Sequence, residues 1–396
     1  MRLTHLVLAM APLAAGAQQW APLADLAGPA RDDAAAFALG SEVFVGTGMD
    51  AGFQLRSDWY RYTTWDDSWS AIDPLPADGR QYAVAFALDG MGYVQGGLTS
   101  AGPTSQLWTY DPVLQNWYAR LPMPGAARYA SACFVLNGLA YVVGGLFQNG
   151  TTTDQMWAYD PVSNAWIARA PLPGGGRHRA MAFSANGRGH VFGGADAQFN
   201  ALQDGWSYDP LNNTWSPADS LPEPRYAGDA VDLADGGLVI GGASNGTTAH
   251  ADVWRYSVWD DAWSALPDLP DGVRRGGCVA GWGGTRVYYG TGSDNTVRYN
   301  DWYSLDLPVG MRGTEPTEGP LLWPVPATDV LHVNLPHAAS PGPMELELRD
   351  AQGRLVIVRQ GFAGGPLDLE GLSPGTFVLV IRQHAQRWTS RMVKLP

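Results

Sequence analysis

Cysteine and charge are both scarce in this chain of 396 residues. Two cysteines, Cys133 and Cys278, are too few for a disulfide scaffold, and no Cys/His set has the spacing of a zinc site. Charged residues make up only 16% of the chain, where about 25% is usual. Cations are the scarcer sign: 25 Lys and Arg stand against 38 Asp and Glu, a net charge of −13. That balance opposes broad contact with a phosphate backbone or an anionic membrane, so nucleic acid is excluded as a partner. Beyond the first residues no apolar run is long enough for a membrane helix. A phosphate-binding Gly loop, a nucleophile elbow and a metal-binding His pair are absent as well, and no cofactor or metal is expected.

Glycine, proline and tryptophan are abundant instead. The 49 Gly and 29 Pro make 78 of 396 residues, and 17 Trp sit in a chain that is 45% hydrophobic. Such a composition describes a turn-rich protein with ample apolar material to bury, neither disordered nor collagen-like. At the N-terminus, Arg2 precedes an apolar run from Leu6 to Ala15, and Ala15-Gly16-Ala17 offers small residues for cleavage. Residues 1–17 therefore read as a signal peptide, with the mature chain starting near Gln18.

An Arg recurs at Arg31, Arg80, Arg128, Arg177, Arg225 and Arg274, at intervals of 49, 48, 49, 48 and 49. After each comes a short apolar stretch, a Gly turn, and a second stretch ending in glycines such as Gly96-Gly97 and Gly144-Gly145. Units 1 and 6 carry Gly-Thr-Gly there (Gly46 to Gly48, Gly290 to Gly292). A variable loop leads to an aromatic-x-Tyr strand (Trp108/Tyr110, Trp157/Tyr159), a tight turn such as Asp160-Pro161, and a closing Trp at Trp69, Trp117, Trp166, Trp215 and Trp263. Four short strands per unit with period-two alternation predict a propeller blade, which is stable only between neighbours. The sixth unit lacks a closing Trp. Trp20-Ala21-Pro22-Leu23, 49 residues before Trp69, has the missing pattern, so the N-terminal strand is expected to complete blade 6 and close the ring.

The strand-start Arg, the double Gly and the aromatic-x-Tyr…Trp close resemble the kelch repeat, in register over residues 18–308. The resemblance implies an all-β fold, a six-bladed kelch-type β-propeller. Residues 309–320 break the period and read as a linker. From 321 to 396 short alternating strands predict a small C-terminal β-sandwich. Trp323-Pro324-Val325-Pro326-Ala327, Asp350-Ala351-Gln352-Gly353-Arg354, Leu372-Ser373-Pro374-Gly375 and Met392-Val393-Lys394 resemble the type A C-terminal sorting domain of the type IX secretion system of Bacteroidetes. That resemblance implies the type IX machinery as a partner and a mature protein that is secreted or anchored at the outer-membrane surface.

Function is expected where the repeats begin. Because strands alternate in direction, the six Arg should ring one channel mouth, with the loops Leu98 to Ser105, Leu146 to Asp154, Ala195 to Asp204 and Ala243 to Ala251 around it. Tyr82, Tyr129, His178, Arg179, Tyr226 and Arg275 enrich that mouth, and with the six Arg they form the predicted ligand site. Arg binds carboxylates bidentately and Tyr stacks on sugar or peptide, so an extracellular glycan or protein ligand is expected. The architectural alternative is that the repeating Arg tie blades together through neighbouring carbonyls and Asp. Four residues after the Arg, only blade 5 carries an acid, Asp229, among Ala35, Val84, Ala132, Met181 and Cys278. Asp229 reads either as a salt-bridged core acid or as a general acid/base facing His178 or Arg across the channel. The second role would suit an enzyme similar to the kelch-fold sialic-acid mutarotases. Cys133 and Cys278, on opposite sides of a six-blade ring, are expected to be free thiols beyond disulfide reach.

Overall fold

The structure, a computed structural model, describes residues 19–233, 235–282, 286–307, 321–323, 329–334, 344–350, 354–362, 365–383 and 386–394. The leader at 1–17, the linker at 309–320 and the Pro324 to Pro326 motif lie outside them. All described regular structure is β. Two compact units separate near residue 310.

Six four-stranded antiparallel sheets dominate the first unit, five of them laid down in chain order from an inner to an outer strand. Their inner strands are Ala35–Leu39, Val84–Leu88, Ala132–Leu136, Met181–Ala185, Asp229–Leu233 and Cys278–Trp282, the starts of blades 1 to 6. Each inner strand packs on the next, and the sixth packs on the first. The outer strand of blade 6 is Trp20–Pro22, paired antiparallel to Trp302–Asp306 with Trp20 opposite Leu305.

Closing tryptophans link the blades by one repeated bond. The indole N–H of Trp69 donates to Ala24 O (2.8 Å), Trp117 to Asp73 O (2.9 Å), Trp166 to Leu121 O (2.9 Å), Trp215 to Ala170 O (3.0 Å) and Trp263 to Asp219 O (3.3 Å). Trp20 donates to Pro267 O at 3.1 Å, so the N-terminal strand makes the same bond as the outer strand of every other blade. The N-terminal strand thereby covers the edge that Trp302–Asp306 would otherwise leave open at the junction of the ring's two ends.

The paired glycines have a backbone cause. Gly97, Gly145, Gly194 and Gly242 sit at φ between 93° and 118°, and a Cβ on Gly242 would lie 2.9 Å from Tyr226 O. The preceding residue is left-handed too, at φ 57–69° in Gly96, Gly144, Gly193 and Gly241. An L-residue reaches that milder angle at modest cost, which is why Thr47 (φ 57°) and Thr291 (φ 59°) stand there in blades 1 and 6.

In the second unit, Leu321–Trp323, Val330–Asn334 and Gly365–Asp368 form one sheet, and Leu355–Phe362, Met344–Asp350, Gly375–Gln383 and Gln386–Lys394 another. Leu331, Val333 and Leu367 from the first sheet share a core with Leu346, Leu348, Leu379 and Ile381 from the second. Two sheets facing one apolar core is the sandwich arrangement.

Candidate functional site

Each repeat enters its blade in the same three steps. The Arg and the residue after it pair with the loop that leaves the second strand, as in Arg31–Asp32 against Met49–Asp50. The next residue is left-handed in all six blades: Asp33, Tyr82, Ala130, Arg179, Ala227 and Gly276 have φ of 53–56°. That kink swings the chain inward to start the inner strand. It also aims each N–H at the carbonyl of the corresponding residue one blade back. Tyr82 donates to Asp33 O, Ala130 to Tyr82, Arg179 to Ala130, Ala227 to Arg179, Gly276 to Ala227 and Asp33 to Gly276, at 2.6–3.3 Å. A closed belt of six main-chain hydrogen bonds therefore encircles the channel. Below it runs a channel of about 190 Å³, walled largely by alanines and glycines from all six inner strands.

The repeating arginines differ from the ligand-facing ring expected of them. All six are at most 2% exposed. Arg31, Arg177, Arg225 and Arg274 each grip an Asp 27 residues on in bidentate fashion, Asp58, Asp204, Asp252 and Asp301, and donate to the carbonyl that ends the second strand of the same blade. Arg80 donates to the Gln106 side-chain Oε1 at 2.8 Å instead. Arg128 finds only Met123 Sδ at 3.5 Å, and its Nε and Nη1 have no partner. Burial pushes Arg80, against the pull of Asp78, and Arg128 down to about 10, still charged at neutral pH. These side chains brace the loop of their own blade. Buried at 2% or less, these guanidinium groups are covered by their own blade and present no surface at the mouth.

Of the remaining predicted residues, the structure gathers some at the mouth and removes others. Arg179 reaches across it, its Cζ 4.4 Å from the Tyr82 ring centre and 5.9 Å from that of Tyr226. Tyr82 and Tyr129 are half-buried neighbours with ring centres 5.8 Å apart. Among the described residues no acid pairs with Arg179, and its Nε is unpartnered. Tyr226 is buried. Arg275 turns to the rim, where it bonds the Asn295 side chain and lies 3.8 Å from Asp32, which Arg298 also holds at 2.7 Å.

His178 does not face Asp229. Its backbone bridges to Ala195, and its ring is 1% exposed, edge-on to Phe199 at 4.8 Å, outside the channel wall. Burial, with Arg179 nearby, pushes its pKa down to about 4, so the ring is neutral and unsuited to general-base work there. Asp229 does line the channel. Among the described residues no ion pair forms on it, unlike the salt-bridged core acid expected; burial, reinforced by Asp33 and opposed by hydrogen bonds from the Gly277 N–H and the Tyr289 hydroxyl, pushes its pKa up to about 8. Asp33, from the mouth belt, is pushed up to about 7 by burial and by Asp32, against the opposing pull of Arg179 and Arg275. Cys133 and Cys278 are both free and both line the channel. Among the described residues no group of His, Cys, Asp or Glu could hold a metal ion.

Three residues of this region went unremarked in the sequence. Phe53 and Phe199 are 73% and 47% exposed at φ near +60° on the equivalent loops of blades 1 and 4, where Asp50 and Asp196 cap the turn with paired amide bonds. Tyr289 stands behind Asp229 with its hydroxyl buried. Comparing the repeats for exposed aromatics at one loop position (Asp-Ala-Gly-Phe and Asp-Ala-Gln-Phe) would have found the first two; nothing in the spacing marks the third.

A family model for the Kelch motif matches residues 127–173, and one for the secretion system C-terminal sorting domain matches residues 321–395. Both modules are found in this chain. The sorting domain implies the type IX secretion machinery and a secreted or outer-membrane surface location. A solved structure titled "Structure of YjhT" superposes with a TM-score of 0.62 at 19% identity, covering 71% of this chain and 95% of that one. It shows the propeller fold and nothing finer. No curated protein matches the chain.

Proposed function

We propose that this chain is an exported kelch propeller that binds an acidic glycan at the belt-lined mouth of its channel. The observation that carries the reading is Arg179. It is the one arginine at the mouth with neither an acid nor a side-chain oxygen on its guanidinium among the described residues, and its Cζ lies over the Tyr82 ring, beside Tyr129. A planar cation already ordered by stacking, with free donors, suits a carboxylate, and the tyrosine faces suit a sugar ring. Exposed Phe53 and Phe199 on blades 1 and 4, opposite one another in the ring, offer outer stacking faces for the same ligand. Calorimetric titration with uronic and sialic acids tests this. Arg179→Ala should weaken any acidic sugar by about 10- to 100-fold, the worth of a charge-assisted pair. Silence toward every acidic sugar in the unaltered protein refutes the reading.

A second reading, an enzyme similar to the kelch-fold sialic-acid mutarotases, draws support from Asp33 and Asp229. Carboxyls at about 7 and about 8 can both give and take a proton at neutral pH. His178 has no part in it. Anomer exchange of sialic acid followed by NMR decides: a rate equal to buffer alone excludes the enzyme.

A further inference from the structure

One transverse row of side chains crosses each blade at the same level of the sheet. In blade 4 the row is Phe183, His190, Ser207 and Ser216, each directly opposite the next, so neighbouring side chains start about 5 Å apart. The place of His190 is taken by Phe44, Tyr93, Tyr141, Leu238 and Tyr288 in the other blades. Arg61 and Arg255 fill the place of Ser207 in blades 1 and 5, and Tyr118 and Ile167 that of Ser216 in blades 2 and 3. Blade 4 alone follows an imidazole with two serines. Where it meets blade 5 a cavity of about 320 Å³ stays open, lined by His190, Ser207 and Ser216 on one side and by Tyr256 and Asp261 of blade 5 on the other. It lies beside the turn at Asn186, where the inner strand of blade 4 ends, at the opposite end of that strand from the belt.

His190 is 3% exposed, with its ring centre 5.6 Å from that of Tyr256. Neither of its nitrogens makes a well-formed hydrogen bond: the Ala185 carbonyl bears on one, and the other has no partner among the described residues. Buried polar atoms are almost always satisfied, so the open side of the row has to supply what the protein does not. Burial, with Arg188 nearby, pushes the His190 pKa down to about 4, which leaves one nitrogen an acceptor and the other a donor. The charges at the rim are already engaged within the protein. Arg188 faces Asp209 at 3.5 Å, and Asp261 accepts from the Tyr256 hydroxyl and the Asp219 N–H. A site without free charge disfavours an ion, whereas an imidazole and two hydroxyls, which all donate and accept, match hydroxyls that do the same. Ser216 is committed only to a long bond of 3.4 Å to Ser207 O. The volume is at the lower end of ligand pockets, about 300–1,000 Å³, with room for one sugar ring and not for a chain. We propose that the cleft between blades 4 and 5 binds a single neutral sugar residue, its hydroxyls held by His190, Ser207 and Ser216. The site is separate from the belt-lined mouth and does not rest on the acidic-glycan reading.

The test is saturation-transfer NMR on the full chain with methyl glucoside, methyl galactoside and methyl mannoside. At least one of the three should give a saturable signal. His190→Tyr and Ser216→Tyr each install a residue that the repeat itself carries at that position, as Tyr141 and Tyr118. Both variants should therefore keep the fold, fill the cleft and weaken the sugar at least tenfold; the melting temperature checks the fold, and either variant suffices should the other fail to fold. His190→Tyr should leave any response to uronic and sialic acids as it was, so the two readings fail separately. Silence toward all three glycosides, or a folded variant that binds within tenfold of the parent, overturns the proposal.

Discussion

Arg128 and Arg225 occupy the same place in the repeat, yet replacing each by Met should have very different consequences. Arg225 is fully buried and holds Asp252 through bonds of 2.7 and 2.9 Å, with a third to Gly241 O at 3.2 Å. Two charge-assisted bonds are worth about 1.5–3 kcal/mol each. Relief of guanidinium desolvation offsets part of that, and Asp252, 28% exposed and still bonded by Trp254, is not left wholly stranded. A net loss of about 2–4 kcal/mol follows for Arg225→Met, at the lower edge of what breaking a buried pair costs. Met keeps most of the aliphatic stem, so packing contributes little to the difference. Arg128 has no acid, two orphan nitrogens and one weak bond to sulfur. Its replacement removes a desolvated charge, and Arg128→Met should stay within about 1 kcal/mol of the parent, or stabilise it. Urea denaturation followed by tryptophan fluorescence reads both. Adding Asp252→Asn to Arg225→Met should recover part of the loss by removing the unpaired carboxylate. Equal losses at the two positions would refute the assignment of stability to the ion pair and return it to the stem.

The channel acids give a pH signature of their own. Folding raises both pKa values, so the cost of keeping each acid in place grows as pH rises from about 4, where the unfolded side chain ionises, to about 7 for Asp33 and about 8 for Asp229. Asp229→Asn should therefore raise the urea midpoint at pH 9, by the equivalent of a few kcal/mol, and leave it nearly unchanged at pH 4; a shift independent of pH refutes the burial argument. Trp20→Ala removes a residue 9% exposed and the bond to Pro267, and should cost about 3–5 kcal/mol, as a core Trp does. A melting temperature unchanged by that substitution would show that the ring does not depend on its N-terminal strand.

Much of the fold is legible in the sequence because each blade must satisfy the same local demands. A residue at φ near 100° has to be Gly, an outer Trp has to reach the preceding blade's carbonyl, and a strand packed on both faces has to be apolar and short. Six copies of those demands leave a period of 48 or 49 residues. The sandwich core is likewise written in alternation, as in Leu346 and Leu348. The Arg ring shows where this way of reading fails. Periodicity marks the position as indispensable, but a guanidinium at a strand start serves equally for a ligand or for an Asp 27 residues on, and only the return of that Asp in space spends its donors.

Residues that break the period are the ones whose meaning waits for three dimensions. Arg179 matters because it crosses from blade 4 to stack on Tyr82 of blade 2, a relation between residues 97 positions apart that no spacing records. His178, equally conspicuous in sequence, turns one residue earlier into an apolar contact with Phe199 and loses its basicity. Asp33 of blade 1 and Asp229 of blade 5 come to line one channel beside Gly276 and Gly277 only because the ring closes through blade 6. The sequence by itself determined the repeat, its β character and the module that follows it, since these rest on local backbone geometry and alternation. Which side chains face the channel, and which spend their charge inside a blade, was decided by tertiary structure, since charge is satisfied by whatever partner the fold brings within reach.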